Sequence, residues 1–421
     1  MSRIPIVSSN ILRSDGGASS WKCEPMKYCD NRRSLAFCGE VMGGGSRINS
    51  MVYTRGTAAD YDSWAQLGHL EWSYDKLLSY FMKSETVVGS QKSKYRGTSG
   101  PWIIRTFPFH TWGFGAYRFG IGPQKHLEEH GISVVKDLPG VGSGLSDHHG
   151  IPIAWKVPVK ESLTRLVIHP MLGVLEFFKY IFFRSGILSM PINNITLFVR
   201  SSILNQDYAG IDNEKLATAS SQIQDLIPDI ELMPLAVTAM DDLEEHQRLF
   251  SKMGMFSILA TLAKPKSRGT VRLASSDPHQ RPKVDFGILS NPEDYVVARA
   301  SVRLSLKLAE TMRASGFPLQ ENITFPEDKQ AIDAKNNNDE EIDKFIRRRI
   351  RTIYHYSSSC RMAPVDDAES PGVVDDQLKV HGVKGLRVCD TSIFPQIISH
   401  HLQAPAVMVA EKCADMIKTH G

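Results

Sequence analysis

The sequence predicts a mixed α/β protein of at least two domains, on three observations. The chain has 421 residues, more than one hydrophobic core usually organises. Across residues 151 to 350, runs of strand character such as Ile151-Pro152-Ile153-Ala154-Trp155-Lys156-Val157 are interleaved with segments of helical period. Near the end, the apolar run Gly385-Leu386-Arg387-Val388-Cys389-Asp390 reads as a buried strand between two histidine-bearing turns, and a helix follows from Ala404 to Thr419.

Composition narrows the function classes. The chain is 42% apolar and 23% charged, as a globular protein is, and its net charge of +3 gives no argument for nucleic acid. Its six cysteines have no zinc-site spacing, so no metal is expected; Cys23, Cys29 and Cys38 are open to either a bridge or free thiols. Met1-Ser2-Arg3-Ile4-Pro5 does not begin a secretory signal, for no apolar core of signal length follows. The most apolar segment, Leu166 to Phe183, carries Glu176 and Lys179 and reads as a packed amphipathic helix, not a membrane span. Asn194-Ile195-Thr196 and Asn322-Ile323-Thr324 match the glycosylation pattern, which matters only in a secreted chain.

Taken in order, residues 1–40 are irregular. Gly43-Gly44-Gly45-Ser46 then lets the backbone approach a ligand closely, and a helix starting near Ser46 would offer free N–H groups to an anion. Short helices are expected over 58–64 and 72–81, the second capped by Ser73. Residues 91–100 form a polar loop. Gln124 to His130 reads as a helix and Ile132 to Val135 as a strand. Glycines 140, 142 and 144 lack the spacing of a dinucleotide fingerprint, and no G-x-G-x-x-G follows a strand anywhere. Gly269 to Leu273 and Lys283 to Phe286 read as paired strands around the turn at Asp277-Pro278. Asp294 to Met312 is a long amphipathic helix. Asn338 caps another, with acids Asp339, Glu340 and Glu341 opening it and Arg347, Arg348 and Arg349 closing it, as the helix dipole favours.

The chemistry is sought in Tyr354-His355-Tyr356-Ser357-Ser358-Ser359-Cys360 and Ser399-His400-His401-Leu402-Gln403-Ala404-Pro405. Imidazole is a good general base near neutral pH, and two on successive turns beside one strand can converge on one substrate atom. With 14 histidines in the chain, each alone is an ordinary surface or core residue; the pair gains weight from the rest of the sequence.

Gly43 through Gly56 with Asp60-Tyr61-Asp62-Ser63-Trp64 resembles the first signature of the glucose–methanol–choline (GMC) family of flavin oxidoreductases. Ile121-Gly122-Pro123 through Asp147-His148 is similar to the end of its second signature and the segment after it. Lys266-Ser267-Arg268-Gly269-Thr270-Val271, Asp277-Pro278 and Tyr354 to Ala410 resemble its C-terminal part, closest in motif to fungal aryl-alcohol oxidases and glucose dehydrogenases. The resemblance implies an FAD-binding α/β domain joined to an α+β substrate domain on an antiparallel sheet. It divides the chain into a partial FAD-binding segment (1–57), a lid and start of the substrate domain (58–118), an FAD-domain segment (119–150), the substrate domain (151–350) and a C-terminal FAD-domain segment carrying the active site (351–421).

The resemblance also implies hydride transfer from the CH–OH group of a small alcohol or sugar to FAD. His355 matches the family's active-site histidine and is expected as base, and His401 matches the second catalytic position and is expected to orient the substrate oxygen. Gly44, Gly45, Ser46, Asn49, Met51, Val52, Asp390, Gln403, Ala404 and Pro405 match flavin-contacting segments, with Gln403 also placed to cap the last helix. His400 is expected to fill space, His148 and His149 to be loop histidines, and Cys360 and Cys389 to be buried thiols. Relatives are often secreted.

Two parts of the family pattern are missing. The chain starts after the point where relatives carry the dinucleotide turn for the ADP half of FAD. A second stretch is absent between Trp112 and Gly120, with Phe119 at the junction. Two other readings follow: a flavin-free truncated relative, and a lyase of the hydroxynitrile type using the same histidines.

Overall fold

Backbone hydrogen bonding divides the chain into short strands held by long-range pairing and a few long helices. The computed structural model describes residues 18–40, 44–87, 94–103, 117, 120–190, 193, 195–208, 210–218, 222–237, 239, 253–324, 338–367 and 370–420. Contacts separate it into two units. One comprises 149–265 and 292–351, after a first segment 1–16 that lies outside the described residues; the other comprises 17–148, 266–291 and 352–421. The segment 266–291, assigned from sequence to the 151–350 domain, belongs by its contacts to the second unit.

The first unit is built on an antiparallel sheet. His149–Val157 pairs along its whole length with Gly254–Leu262, which pairs with Ile230–Leu235, which pairs with Leu197–Val199. Arg351–Thr352, where the chain leaves the unit, forms the other edge. All nine residues of Gly254–Leu262 are buried, so this strand reads as a continuous apolar run without alternation because both of its faces are covered. The helix Glu293–Ala314 packs against this strand. The helix Asp339–Arg349 packs on Glu293–Ala314 and is started by a full capping box: Asn338 accepts from Glu341 N while Glu341 reaches back to Asn338 N. Arg299 grips Asp343 through two bonds of 2.7 and 2.6 Å, tying the two helices together.

Leu166–Phe183 departs from expectation. His169-Pro170 breaks it into Arg165–Ile168 and Pro170–Phe183, since proline cannot continue the preceding turn. The second helix is not a packed amphipathic one: Met171, Val174, Leu175, Phe177, Phe178, Ile181, Phe182 and Phe183 are all exposed, and its buried residue is Glu176. That carboxylate accepts from Lys179 Nζ (2.7 Å) and Ile187 N (2.9 Å), which hold it below the usual range. No helix among the described residues is long and apolar enough to cross a membrane.

The second unit carries the hairpin Ala18–Pro25/Arg33–Gly39 and a three-stranded sheet in which Gly269–Arg272 lies between Lys283–Asp285 and Ser143–Leu145. Its core gathers around the helices Ala58–Gln66, Tyr74–Ser84 and Gln403–His420. Tyr61, Trp64, Trp72 and Phe81 are fully buried there, with Trp64 also against Phe394 (5.0 Å between centroids). Lys83 Nζ ties the second of these helices to the last one through Asp415 (2.8 Å) and Glu411 (3.1 Å). Ser73 stands at the N-cap of Tyr74–Ser84 but makes no capping bond; Asp62 Oδ1 accepts from Tyr74 N instead.

Three further expectations are corrected. Residues 132–135 are not a strand; the strand is Lys136–Asp137, parallel to Ile121–Gly122. Gly385 to Asp390 is no buried strand: it makes a single bridge, Lys379 to Arg387, and residues 386–389 stay half-buried. No helix starts at Ser46; Gly44–Arg47 is one 3-10 turn, too short for the N-terminal anion site a longer helix provides. The junction between Trp112 and Gly120 lies outside the described residues, apart from Tyr117 and Gly120 themselves.

Candidate active site

The second unit brings both predicted histidines together. His355 Nε2 lies 3.1 Å from His401 Nδ1, with ring centroids 4.7 Å apart and planes near perpendicular (82°). A third imidazole, which sequence reasoning left as a loop histidine, completes a chain. His148 Nδ1 lies 2.8 Å from His355 Nδ1, and His148 Nε2 lies 2.9 Å from the carbonyl oxygen of Ile398. His148 is buried.

Backbone pairing explains the convergence. Ser146 and Ser357 exchange two bonds (3.0 and 2.9 Å), Asp147 Oδ1 accepts from His355 N (2.8 Å), and His148 O accepts from Ile353 N (3.1 Å). Residues 146–148 are thereby zipped to 353–357. On its other side that segment is held to 391–393 by Ser358 N to Thr391 O, Cys360 N to Ser392 O and Met362 N to Ile393 O. Tyr354 (φ +69°) and Ser358 (φ +65°) adopt the left-handed region, which costs a side-chain-bearing residue about 1 kcal/mol or more and is retained here by the pairing on either side.

The His401 turn is fixed by the distant N-terminal signature. Asp60 is fully buried; its carboxylate accepts from Ser399 N and Ser399 Oγ (both 2.8 Å) while closing the capping box at Thr57 N (2.9 Å). Thr54 Oγ1 accepts from His401 N (3.2 Å). Asp60 and Thr54 thus hold the turn that carries His401, contacts that sequence reasoning missed, although the motif containing them was singled out. His400 Nδ1 lies 2.8 Å from Ser399 Oγ, beside the same carboxylate.

Electrostatics favour a neutral imidazole at the centre. Desolvation, then the neighbouring His401 and His148, push the His355 pKa well below its ordinary value. Burial pushes the Asp147 carboxyl up to about 7, against the bonds it accepts. Burial also raises the phenol of Tyr356, whose oxygen accepts from Phe37 N. Among the described residues no group of three or more His, Cys, Asp or Glu side chains is arranged to hold a metal; the three imidazoles bond to one another.

The residues expected at a flavin fall into separate groups. Asn49 Nδ2 donates to Gln403 Oε1 (2.9 Å), and Asn49 Oδ1 accepts from Met51 N (3.0 Å), so Asn49, Met51 and Gln403 share one site across more than 350 residues of sequence. Met51 has φ +62°. Ala404 and Pro405 are buried at the start of the last helix, which opens at Gln403, one residue before the expected Ala404. Gly44, Gly45 and Ser46 form the short turn beside Gly39, where a Cβ would strike Gly44 O at 2.3 Å, and Val52 is half-buried. Asp390 is buried and accepts from Ser392 N (2.8 Å), capping a short turn.

The residues fit a flavin at one point in particular. Gln403 Nε2 is buried and makes no hydrogen bond, a donor a ring carbonyl or nitrogen can use. Cys360 is buried, with its thiol pushed up to about 12, but Cys389 is only half-buried and shares a hydrogen bond with Cys413; all six cysteines are free thiols.

Comparison with known proteins identifies the family. Two GMC oxidoreductase family models match, one over residues 9–105 and one over 265–410. The oxygen-dependent choline dehydrogenase of Brucella ovis is 28% identical, covering 97% of this chain and 86% of that protein; that of Sinorhizobium medicae is 29% identical, covering 94% and 84%. The Brucella alignment spans 514 residues against the 421 of this chain, so the relative has residues for which this chain has none. Formate oxidase of Aspergillus oryzae has a similar fold, with a TM-score of 0.82 at 21% identity over 99% of this chain and 90% of that one. A fungal aryl-alcohol oxidase gives 0.72 at 21% identity, covering 96% and 89%. The chain therefore belongs to the GMC oxidoreductase family and is an FAD-dependent oxidoreductase.

Proposed function

We propose that the protein oxidises the CH–OH group of a small alcohol or sugar, with His355 as base and His401 as the group that orients the substrate oxygen. The observation that carries this is the 3.1 Å approach of His355 Nε2 to His401 Nδ1. Hydride leaves an alcohol carbon only as the hydroxyl proton is removed, so a neutral base at hydrogen-bond distance is required. His355 is held neutral by its desolvated surroundings. A substrate hydroxyl inserted between the two rings would replace their direct bond, donating to His355 Nε2 and accepting from His401 Nδ1. FAD, when bound, supplies the acceptor for the hydride. Gln403, Asn49 and Met51, with Ala404 and Pro405 behind them, are the residues that would hold its ring. That relatives are named for choline and aryl alcohols supports an alcohol donor.

The test is the visible spectrum of the purified chain with and without added FAD, followed by anaerobic titration with a panel of alcohols and sugars. Flavin absorbance bleached by an alcohol is the expected result. His355→Ala should abolish bleaching while flavin stays bound, and Gln403→Leu should loosen the flavin while the fold persists. A colourless chain even with added FAD supports the flavin-free reading. A yellow chain that no donor bleaches but that cleaves a hydroxynitrile supports the lyase.

A further inference from the structure

We propose that His148 is a positioning residue that sets the tautomer of His355, placing its proton on Nδ1 and leaving Nε2 as the basic nitrogen. The inference rests on the reading of His355 as base, and it begins from a group that cannot change its role. The carbonyl oxygen of Ile398 only accepts, so the nitrogen 2.9 Å from it, His148 Nε2, carries a proton. A neutral imidazole has one ring N–H, which makes His148 Nδ1 an acceptor. That lone pair faces His355 Nδ1 at 2.8 Å. Two lone pairs do not meet at such a distance, so His355 donates from Nδ1. Its Nε2 is then the unprotonated nitrogen, and it lies on the His401 side.

The device is rigid. His148 is 1% exposed and Ile398 is fully buried, and the His148 and His355 rings stand at 81° with centroids 5.0 Å apart. The backbone of His148 accepts from Ile353 N, two residues before His355, so ring and partner are carried on one paired frame. A proton added to His148 Nδ1 would reverse the bond, move the His355 proton to Nε2 and silence the base. His148 is almost fully buried, and desolvation disfavours a charged ring there.

The experiment is proton–nitrogen correlation NMR of the imidazoles in the full chain, comparing wild type with His148→Leu and His148→Gln. Wild type should show His355 protonated at Nδ1. Glutamine can accept at Oε1 and donate to Ile398 O from Nε2, so His148→Gln should keep that pattern; leucine removes the acceptor and should release the proton to Nε2. In the flavin-loaded enzyme, His148→Leu should slow flavin reduction by an alcohol about 100-fold or more, the contribution of a correctly protonated base, and His148→Gln should recover most of it. Protonation of wild-type His355 at Nε2 overturns the proposal, as does an unchanged tautomer in His148→Leu. The wild-type measurement decides the matter even where a variant fails to fold. The tautomer is read without turnover, so a chain inactive toward alcohols defeats the base assignment alone, while a wrong tautomer in an active chain defeats the His148 proposal alone.

Discussion

Asp60→Ala should cost far more stability than a helix cap is worth, because Asp60 does two jobs. It completes the capping box of Ala58–Gln66 with Thr57, and it pins the turn that carries His401 by accepting from Ser399 N and Oγ. Asp60 and Ser399 are both fully buried, so water cannot replace the lost acceptor. Loss of the cap alone costs about 1 kcal/mol, the expected effect of Thr57→Ala. Each bond to an ionised group contributes about 1.5–3 kcal/mol, and a buried donor left without a partner costs about 1–3 kcal/mol; since these overlap, Asp60→Ala should lose about 3–5 kcal/mol. Asp60→Asn keeps an acceptor for Ser399 N and should fall between the two. Urea denaturation followed by tryptophan fluorescence is apt because Trp64 lies on the same helix, buried in the core. Equal losses for Asp60→Ala and Thr57→Ala would refute the claim that this carboxylate holds the histidine turn.

Glu85→Ala should also be severe. Glu85 is fully buried and paired with Arg55, which is 7% exposed, and it accepts from Tyr53 OH (3.0 Å) and Gly97 N (3.2 Å). Leaving the guanidinium buried without its partner should cost about 3–5 kcal/mol in a denaturation experiment, and a loss below about 1 kcal/mol would contradict it. The pH dependence of stability has a hidden slope. His355, depressed when folded, stays neutral while the unfolded chain gains a proton below the ordinary value of 6.5; its contribution is complete above 6.5 and falls as pH drops. Asp147, raised to about 7 from 3.8, has the opposite sign: between those values the folded chain holds a proton that the unfolded chain has lost, so stability falls as pH rises. The two slopes cancel in the overlap. Asp147→Asn keeps the acceptor for His355 N and should uncover a loss of up to about 1.4 kcal/mol per pH unit on acidification below 6.5. Parallel stability curves for variant and wild type would sink this assignment.

Local signals in the sequence determined elements whose forces are local. The capping box at Asn338, the period of the helix Glu293–Ala314 and the paired strands Gly269–Arg272 and Lys283–Asp285 were all readable because each is fixed by neighbours within a few turns or one hairpin. The order of motifs carried the family, and with it the expectation that His355, His401, Asn49 and Gln403 belong to the site. What only the tertiary structure decided is which groups meet. His148 bonds to a residue 207 positions away, and Asp60 to one 339 away. Burial turns an ordinary carboxyl such as Asp147 into one that titrates near neutrality. The exposure of Pro170–Phe183 was equally invisible, since an apolar run reads the same whether or not anything covers it. Hydrogen bonds and desolvation depend on distance in space, and sequence spacing reports that distance only while the chain stays local.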